Sequence, residues 1–144
     1  MKIVLQRVSS ASVLLDCKTI AEGSAGLLLL VGFGAADTEA ELAPMAKKIC
    51  ELRIFPNAEG RFDKSVIDIA GDIIAVPQFT LYGSTTKGRR PDFFAALAPE
   101  QATVLFDKFC AALDQALGKA VGRGEFGANM QVSLVNDGPV TLML

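Results

Sequence analysis

One continuous apolar run constrains the fold of this chain more than any other feature of the sequence. Residues 27–33 read Leu-Leu-Leu-Leu-Val-Gly-Phe and contain no polar side chain. A short run of this kind, preceded by the turn-forming segment 23–26, is typical of a strand in the buried centre of a sheet. The rest of the chain must therefore supply neighbouring strands and helices that cover them.

Alternation of polar and apolar residues predicts the other strands. Besides the central run, strands are predicted for residues 2–15, 52–55, 72–76, 130–135 and 140–144. We interpret residues 2–15 as two short strands with a bend at Ser9 and Ser10. Asp137-Gly138 is a strong signal for a hairpin turn between the last two strands, although a proline directly after it is unusual for a strand that must donate hydrogen bonds.

Helical periodicity predicts two main helices. The first follows the capping-box pattern Thr38-Glu39-Ala40-Glu41 and is expected to start late or to kink at Pro44. The second begins at Pro99, carries one apolar stripe and ends at Gly118. Strands outnumber helices, so the sequence predicts a single α+β domain over residues 1–144, with a largely antiparallel, curled sheet and two main helices packed on it.

The absence of histidine restricts the chemistry of the chain. It excludes Ser-His-Asp and Cys-His catalysis and any metal site that relies on imidazole. An enzyme of this composition uses carboxylates, lysine or backbone groups, or its substrate supplies the missing group. The net charge of −2 is no signature of a global nucleic-acid binder, but it is compatible with a local basic patch. The segment Val31–Asp37 lacks the glycine pattern and the lysine of a nucleotide-binding loop.

Cysteine usage and hydropathy predict where the protein acts. Cys17, Cys50 and Cys110 are far apart and odd in number, so we expect reduced thiols that fill the core. No apolar run is long enough to span a bilayer, and the N-terminus has no secretory pattern. We therefore expect a cytoplasmic protein without membrane contact.

Four short stretches carry groups suited to chemistry. They are Gln6-Arg7, Gln78-Phe79-Thr80, Lys87-Gly88-Arg89-Arg90, and Phe126 to Met130. Each also has an ordinary structural interpretation: a solvent-facing arginine, a strand end, a solvated loop, and two core side chains, respectively. None of the four patterns decides between these interpretations when it is taken alone.

Taken together, the motifs carry a family resemblance. Gln6-Arg7-Val8, Gln78-Phe79-Thr80-Leu81, Arg90-Pro91 and the segment MQVSLVNDGPVT from Met130 to Thr141 resemble the D-aminoacyl-tRNA deacylases in order and spacing over essentially the whole chain. The resemblance implies a homodimer, without a cofactor or metal, that hydrolyses the ester between a D-amino acid and the 3′-terminal adenosine of tRNA. It also implies action on mischarged glycyl-tRNA and active sites at the subunit interface. The fold that it implies is a curled, barrel-like antiparallel sheet flanked by helices.

The resemblance implies a role for the two central motifs. The Gly138-Pro139 bond is expected to be cis, and this motif of one subunit to enter the active site of the other. Its carbonyl groups would capture the substrate's ammonium group and leave no room for an L side chain. Backbone N–H groups of Phe79 and Thr80 are expected to stabilise the oxyanion, with Gln78 holding the strand end. The 2′-hydroxyl of the terminal ribose is expected to assist hydrolysis.

Further residues receive roles from the same resemblance. Arg7 is expected to hold the incoming Gly-Pro loop by bonding to its backbone, and Phe126 and Met130 match positions that line the adenosine pocket. Lys87, Arg89 and Arg90 are candidate contacts to tRNA phosphates. Thr80 as a covalent nucleophile is an alternative, but nothing in the sequence would activate its hydroxyl.

Pro77 departs from the family pattern, which has serine at this position. Proline removes a hydroxyl and a backbone donor beside the predicted oxyanion site. Proline here is similar to an animal subfamily that also removes L-alanine, although that subfamily carries alanine where this chain has Phe79. Two alternatives to a strict deacylase therefore stay open: a deacylase of relaxed chirality and a non-catalytic tRNA-binding relic.

Overall fold

The computed structural model describes residues 1–144 and contains eight strands and two α-helices. The strands are β1 (Lys2–Leu15), β2 (Lys18–Gly23), β3 (Gly26–Gly32), β4 (Phe55–Pro56), β5 (Phe62–Lys64), β6 (Asp72–Pro77), β7 (Gly122–Arg123) and β8 (Met130–Met143). The helices are α1 (Leu42–Glu51) and α2 (Pro99–Leu117), and two short 3-10 turns span Glu39–Glu41 and Phe79–Tyr82. No helix is long and apolar enough to cross a membrane.

The predicted central strand lies in the middle of a six-stranded sheet with the order β2-β1-β3-β6-β7, and β8 pairs with the other edge of β1. The predicted α+β class and curled sheet are confirmed, but the sheet is mixed rather than antiparallel, because β6 runs parallel to both β3 and β7. The sheet curls until β7 approaches β2. A Cβ atom on Gly122 would lie 3.1 Å from the Cβ of Ala21, so the barrel is nearly closed.

The continuous apolar pattern of β3 arises because both of its faces are covered. Leu27 and Leu29 belong to the larger core, which the sheet shares with α1 and α2. Leu28 points to the opposite face, where it packs with Val8, Val13 and other apolar side chains inside the curl of the sheet. Each face therefore has its own apolar cluster, as expected for strands buried on both sides.

The two ends of the chain form one long antiparallel ladder. Residues 2–15 are one continuous strand, so the predicted division into two strands is wrong, but the ladder with β8 does shift register at Ser9, between Val8 and Ser10. The predicted C-terminal hairpin is also wrong, because β8 runs on past Asp137-Gly138 and pairs with β1 on both sides of it. Gln6 of β1 pairs with Thr141 and Val8 pairs with Asn136, so the residues between those partners bulge out of the ladder.

The helices begin and end near their predicted positions. Helix α2 starts at Pro99 and ends at Gly118, as the sequence predicts. Pro44 lies in the first turn of helix α1, where backbone N–H groups have no acceptor within the helix, so the lack of an N–H in proline removes no helical hydrogen bond. The capping box is wrong, because the Thr38 side chain forms no capping hydrogen bond and the segment after it is a 3-10 turn.

The three cysteines are free thiols with two different environments. Cys50 and Cys110 are buried, and desolvation raises the pKa of their thiols to about 11 and about 12, respectively. Cys17 is exposed in the turn between β1 and β2, so the prediction that it fills the core is wrong.

Candidate active site

A cavity of about 250 Å³ opens where β6 ends. Val76, Pro77, Gln78 and Phe79 form one wall, and residues 126–130 with Val132 form the other. The cavity thus brings together four of the predicted site residues, Gln78, Phe79, Phe126 and Met130. Its mixture of apolar side chains and a few polar groups is that of a small-ligand site.

The chain leaves β6 through a tight turn and not through a longer strand. Parallel pairing with β3 ends at Pro77, and the Gln78 N–H donates to the carbonyl of Val31 at 2.7 Å. The strand thus ends at Pro77, and the residues after Gln78 form the 3-10 turn Phe79–Tyr82. The Gln78 side-chain amide donates to the Thr80 hydroxyl oxygen, which joins the residue before the turn to the turn itself.

Two backbone donors point away from this turn without partners. The first N–H groups of a helical turn have no acceptor inside it, and here those groups belong to Phe79 and Thr80. Neither donates one of the backbone hydrogen bonds formed by turns and loops, and both residues are exposed, Phe79 in the lining of the cavity and Thr80 directly after it in the chain. The site therefore offers a pair of adjacent N–H groups to a negatively charged oxygen.

A polar network behind the turn holds Tyr82 in place. The Tyr82 hydroxyl donates to Asp37 Oδ2 at 3.1 Å, and the same oxygen accepts the Gly34 N–H at 2.6 Å. The N-terminal ammonium group pairs with the other carboxylate oxygen of Asp37. Lys2 Nζ donates to the Leu81 carbonyl at 3.2 Å and lies 4.5 Å from the Tyr82 ring centroid. The turn is thereby tied to the start of the chain.

The network shifts the pKa values of both of its acidic members. Burial raises the pKa of Asp37, but hydrogen bonds from the Gly34 N–H, the N-terminal ammonium group and the Tyr82 hydroxyl outweigh burial and hold it below its ordinary value. Burial and the hydrogen bond to Asp37 raise the pKa of Tyr82 to about 12. Sequence analysis missed these residues, because Asp37 and Tyr82 lie 45 residues apart and no local motif connects them.

The other wall of the cavity is a compact turn before β8. The Met130 sulfur accepts the Glu125 N–H at 3.2 Å, which closes residues 125–130 into a loop. Gly127 adopts a positive φ of 75° within it. Phe126 is packed against the larger core, and Met130 against the cluster inside the curl. Both side chains therefore serve the core and line the cavity at once.

The Gly138-Pro139 motif lies on the bulge of β8 and is exposed to solvent. Its peptide bond is cis, as the resemblance implied. Asn136 holds the base of the bulge: its amide nitrogen donates to the carbonyls of Arg7 at 2.9 Å and Val140 at 3.0 Å. The Thr141 hydroxyl in turn donates to the Asn136 side-chain oxygen at 3.3 Å. The bulge is thus fixed at both of its ends.

Arg7 is buried beneath this bulge, so its interpretation as a solvent-facing arginine is wrong. Its Nε donates to the Asp137 carbonyl at 3.2 Å and lies 3.0 Å from Asp137 Oδ2, while Nη1 donates to the Ile54 carbonyl at 2.6 Å. The expected contact with the Gly-Pro loop backbone is present, but the loop belongs to the same chain. Gly138 has a φ of 119°, which is strained for any other residue, and a Cβ atom there would lie 2.9 Å from both Arg7 Nη2 and Val140 Cγ2.

Within one chain the bulge and the cavity remain apart. Neither Gly138 nor Pro139 lines the cavity beside Phe79. The bulge projects from β8, and strands β1 and β3 lie between β8 and β6. Met130 and Val132 of β8 line the cavity, whereas Gly138 lies eight residues beyond Met130 on the same strand. One chain therefore presents two separate halves of the predicted site.

The three predicted phosphate contacts lie on a solvent-exposed loop. Ser84 and Asp92 close this loop with a pair of backbone hydrogen bonds at 2.8 and 3.0 Å. Lys87, Arg89 and Arg90 are exposed between them and form no ion pair within the chain. The structure also contains no cluster of three or more residues suited to hold a metal ion.

Comparison with known proteins places these features in a family context. The family model described as D-Tyr-tRNA(Tyr) deacylase matches residues 4–144. A D-aminoacyl-tRNA deacylase of Roseiflexus castenholzii is 54% identical over 144 residues, which cover 100% of this chain and 91% of the relative. The protein of the same name from Dechloromonas aromatica is 48% identical, with 100% and 96% covered.

Two solved structures have the same fold. The first is described as c-Myc DNA Unwinding Element Binding Protein; it has a TM-score of 0.93 and 40% identity, and the match covers 100% of this chain and 97% of that one. The second, a probable eukaryotic D-amino acid tRNA deacylase, has a TM-score of 0.85 over 99% and 97% of the two chains. Its identity is 22%, so this likeness concerns the fold alone.

Proposed function

The chain belongs to the D-Tyr-tRNA(Tyr) deacylase family and is a hydrolase of D-aminoacyl-tRNA, and from this premise we propose how its residues perform and restrict that reaction. The 3′-terminal adenosine of the tRNA occupies the cavity between the end of β6 and the turn of Phe126 and Met130. The aminoacyl ester then lies at the rim, beside Phe79 and Thr80. Free tRNA and the free amino acid are the products, and the enzyme acts in the cytoplasm.

The unpartnered N–H groups of Phe79 and Thr80 carry this proposal. Attack of water on the ester carbonyl carbon places negative charge on the carbonyl oxygen, and two preorganised N–H donors stabilise that charge as it develops. One donor of this type is worth on the order of 10²–10³ in rate. The bond between the acyl carbon and the ribose 3′-oxygen then breaks, and this oxygen takes up a proton to become the free 3′-hydroxyl of the tRNA.

The proton transfers are assigned to the substrate because the chain has no histidine. The ribose 2′-hydroxyl is adjacent to the reacting ester and assists the attacking water. Thr80 is unsuited to act as a nucleophile, since its hydroxyl oxygen accepts a hydrogen bond from Gln78 and no basic side chain is bonded to it. The protein contributes position and oxyanion stabilisation.

Selection against L-amino acids is assigned to the Gly138-Pro139 bulge of the partner subunit in a homodimer. The bulge is exposed, fixed by Arg7 and Asn136, and outside the cavity of its own chain. Strand β8 is also an edge strand, because it pairs only with β1. In the partner's site, the carbonyls of the bulge bind the α-ammonium group of the substrate and occupy the space of an L side chain. D-amino acids and glycine fit this arrangement.

The basic loop supports binding of the acceptor end of tRNA. Lys87, Arg89 and Arg90 are exposed and have no acidic partners, so they are available to phosphate oxygens. The overall charge of −2 limits the electrostatic attraction to this local surface.

Pro77 favours a second candidate, a deacylase of relaxed chirality that also removes L-alanine. Pro77 lines the cavity next to Gln78 and Phe79 and has no N–H to offer. A tRNA-binding relic without activity is the remaining alternative.

Single-turnover deacylation of D-tyrosyl-tRNA, glycyl-tRNA and L-alanyl-tRNA, each against buffer alone, tests the proposal. We expect rapid loss of the first two esters and survival of the third. Loss of all three esters would instead establish relaxed chirality. If no ester is hydrolysed faster than in buffer, the proposed function is wrong and the relic remains.

A further inference from the structure

Phe94 is the most exposed large apolar side chain of the molecule, with 94% of its surface accessible to solvent. A lone aromatic ring in this position gains nothing from the core, because it makes no contribution to either apolar cluster. Its neighbour Phe93, by contrast, is partly buried. The two adjacent rings therefore have different surroundings and need different explanations.

Phe93 connects Phe94 to the cavity. The Phe93 and Phe79 rings meet edge to face, with their centroids 5.0 Å apart and their planes at 70°. Phe79 lines the cavity, and its N–H is one of the two proposed oxyanion donors. Phe94 follows Phe93 directly, and adjacent Cα atoms are about 3.8 Å apart. The Phe94 backbone is therefore next to a residue that contacts the cavity wall at Phe79.

The chain just before Phe94 is strongly basic. Lys87, Arg89 and Arg90 precede it on the exposed loop that Ser84 and Asp92 close. An exposed aromatic ring beside several cations is the combination with which proteins bind single-stranded nucleic acid, because bases stack on the ring and the cations contact phosphates. A protein-docking surface would instead present a wide contiguous apolar patch, whereas the exposed loop before Phe93 and Phe94 carries Lys87, Arg89 and Arg90.

We propose that Phe94 is a stacking platform for an unpaired base of the RNA strand whose 3′ end enters the cavity. This inference rests on the proposed function, because it assumes that the cavity holds the end of an RNA chain. The basic loop contacts the phosphates on either side of the stacked base. The platform is indifferent to base identity, since every base has a face to stack.

Binding of fluorescein-labelled RNA hairpins, followed by fluorescence anisotropy, tests the platform. One hairpin has an unpaired 3′ extension, and the other is blunt. Phe94→Ala is expected to weaken binding of the extended hairpin by about 5- to 150-fold, the range for loss of one stacked base, and to leave the blunt hairpin unaffected. Phe94→Trp restores binding, whereas Phe94→Leu does not, because leucine is apolar but has no aromatic face.

Two further variants serve as controls. Ile67 is also exposed and apolar but lies in the groove between α1 and α2, so Ile67→Ala leaves both affinities unchanged. The double variant Arg89→Ala with Arg90→Ala weakens both hairpins and flattens the salt dependence of binding. Phe94→Ala keeps the wild-type salt slope, because it removes no phosphate contact.

Three outcomes overturn the platform. Phe94→Ala could bind the extended hairpin as tightly as wild type does, it could lose the same affinity for both hairpins, or Phe94→Leu could bind the extended hairpin as tightly as wild type does. An altered oligomeric mass of Phe94→Ala with unchanged RNA affinity would assign the ring to a contact between protein copies, which also overturns the proposal. Deacylation by the wild-type protein separates the two ideas. If the wild-type protein deacylates its substrate but Phe94→Ala binds the extended hairpin normally, only the platform is refuted. If the wild-type protein is inactive but Phe94→Ala shows the expected loss of affinity, only the proposed function is refuted.

Discussion

At the scale of single residues, the proposed chemistry depends on backbone atoms of Phe79 and Thr80. The Thr80 hydroxyl accepts a hydrogen bond from Gln78 and has no base beside it. The N–H groups of both residues are unpartnered at the start of a turn. Substitutions that remove an N–H therefore differ in their expected effect from those that remove a hydroxyl.

We expect Phe79→Pro to slow single-turnover deacylation of D-tyrosyl-tRNA by about 10²–10³, because it deletes one oxyanion donor. Proline is tolerated at the first position of a helical turn, which is where Phe79 lies. Thr80→Val keeps its N–H and is expected to retain activity within about tenfold.

Phe79→Leu is the matched control, since it loses the ring and keeps the N–H. A larger loss in Thr80→Val than in Phe79→Pro would show that the hydroxyl is the working group and would restore the covalent alternative. Circular dichroism of each variant checks that the sheet is intact.

Arg7 shows how alternation within one strand predicts burial better than residue type does. Ile3, Leu5 and Arg7 share one face of β1, and all three are buried. An arginine on the buried face of a strand needs hydrogen-bond acceptors, and the Arg7 guanidinium donates to the carbonyls of Ile54 and Asp137. The solvent-facing interpretation considered the charge of Arg7 and overlooked its place in the pattern.

At the scale of elements, the 3-10 turn Phe79–Tyr82 depends on a distant loop for its position. The Asp37 carboxylate holds the Tyr82 hydroxyl, the Gly34 N–H and the N-terminal ammonium group together. This network contains no residue that lines the cavity, so it positions the donors of Phe79 and Thr80 from behind.

Asp37→Asn is expected to lower the free energy of unfolding by about 1.5–3 kcal/mol at pH 7, the range for hydrogen bonds to a charged group. The folded-state pKa of Asp37 lies below the unfolded value of about 3.9. The stabilisation is therefore present above that value and is lost as the pH falls through the folded-state pKa. The free energies of unfolding of wild type and variant, measured with urea, should begin to converge as the pH falls below about 4 and should meet only below the folded-state pKa.

Tyr82→Phe is the control for this experiment, because it removes a single neutral donor and keeps the carboxylate. The pKa of Tyr82 is raised to about 12, so its loss has the same cost at every pH between 4 and 9. A constant difference between wild type and Asp37→Asn across the acid range would refute the electrostatic account of this network.

At the scale of the whole molecule, the proposed site needs a second chain, because the Gly138-Pro139 bulge lies outside the cavity of its own chain. The exposed bulge and the edge strand β8 lie on the same part of the surface, together with the exposed side chains of Val135 and Met143. An isologous two-fold contact through this surface would bring each bulge to the other subunit's cavity, and it would produce two equivalent sites.

Subunit complementation tests this arrangement. Gly138→Val disrupts the bulge, because a Cβ atom there meets Arg7 Nη2 at 2.9 Å, and Phe79→Pro removes an oxyanion donor. In a mixed dimer, the intact bulge of one chain meets the intact donors of the other. Random mixing of the two defective proteins is expected to restore about a quarter of the wild-type sites, because half of the dimers are mixed and each has one intact site.

Native mass spectrometry of the mixture measures the mixed fraction, and Pro139→Ala serves as a milder bulge variant if Gly138→Val does not fold. Mixed dimers whose activity equals the mean of the two parents would mean that each site lies within a single chain. A monomeric wild type would exclude the shared site directly.

The sequence by itself determined the local features of this protein. The apolar run of β3, the stripe of α2 between Pro99 and Gly118, and the lack of histidine are readable because periodicity and composition need only neighbouring residues or a count. The C-terminal motif that contains Gly138-Pro139 could also be recognised as a family resemblance, because its residues are contiguous in the sequence.

Only the tertiary structure decided which distant segments meet. It joined β1 and β8 into one ladder with a bulge where local turn signals predicted a hairpin, and it placed β6 parallel to β3. It also buried Arg7 beneath Asp137 and tied Asp37 to Tyr82. The Asp37–Tyr82 and Arg7–Asp137 contacts connect residues 45 and 130 positions apart, and such partners are selected by the packing of the whole sheet and not by any local pattern.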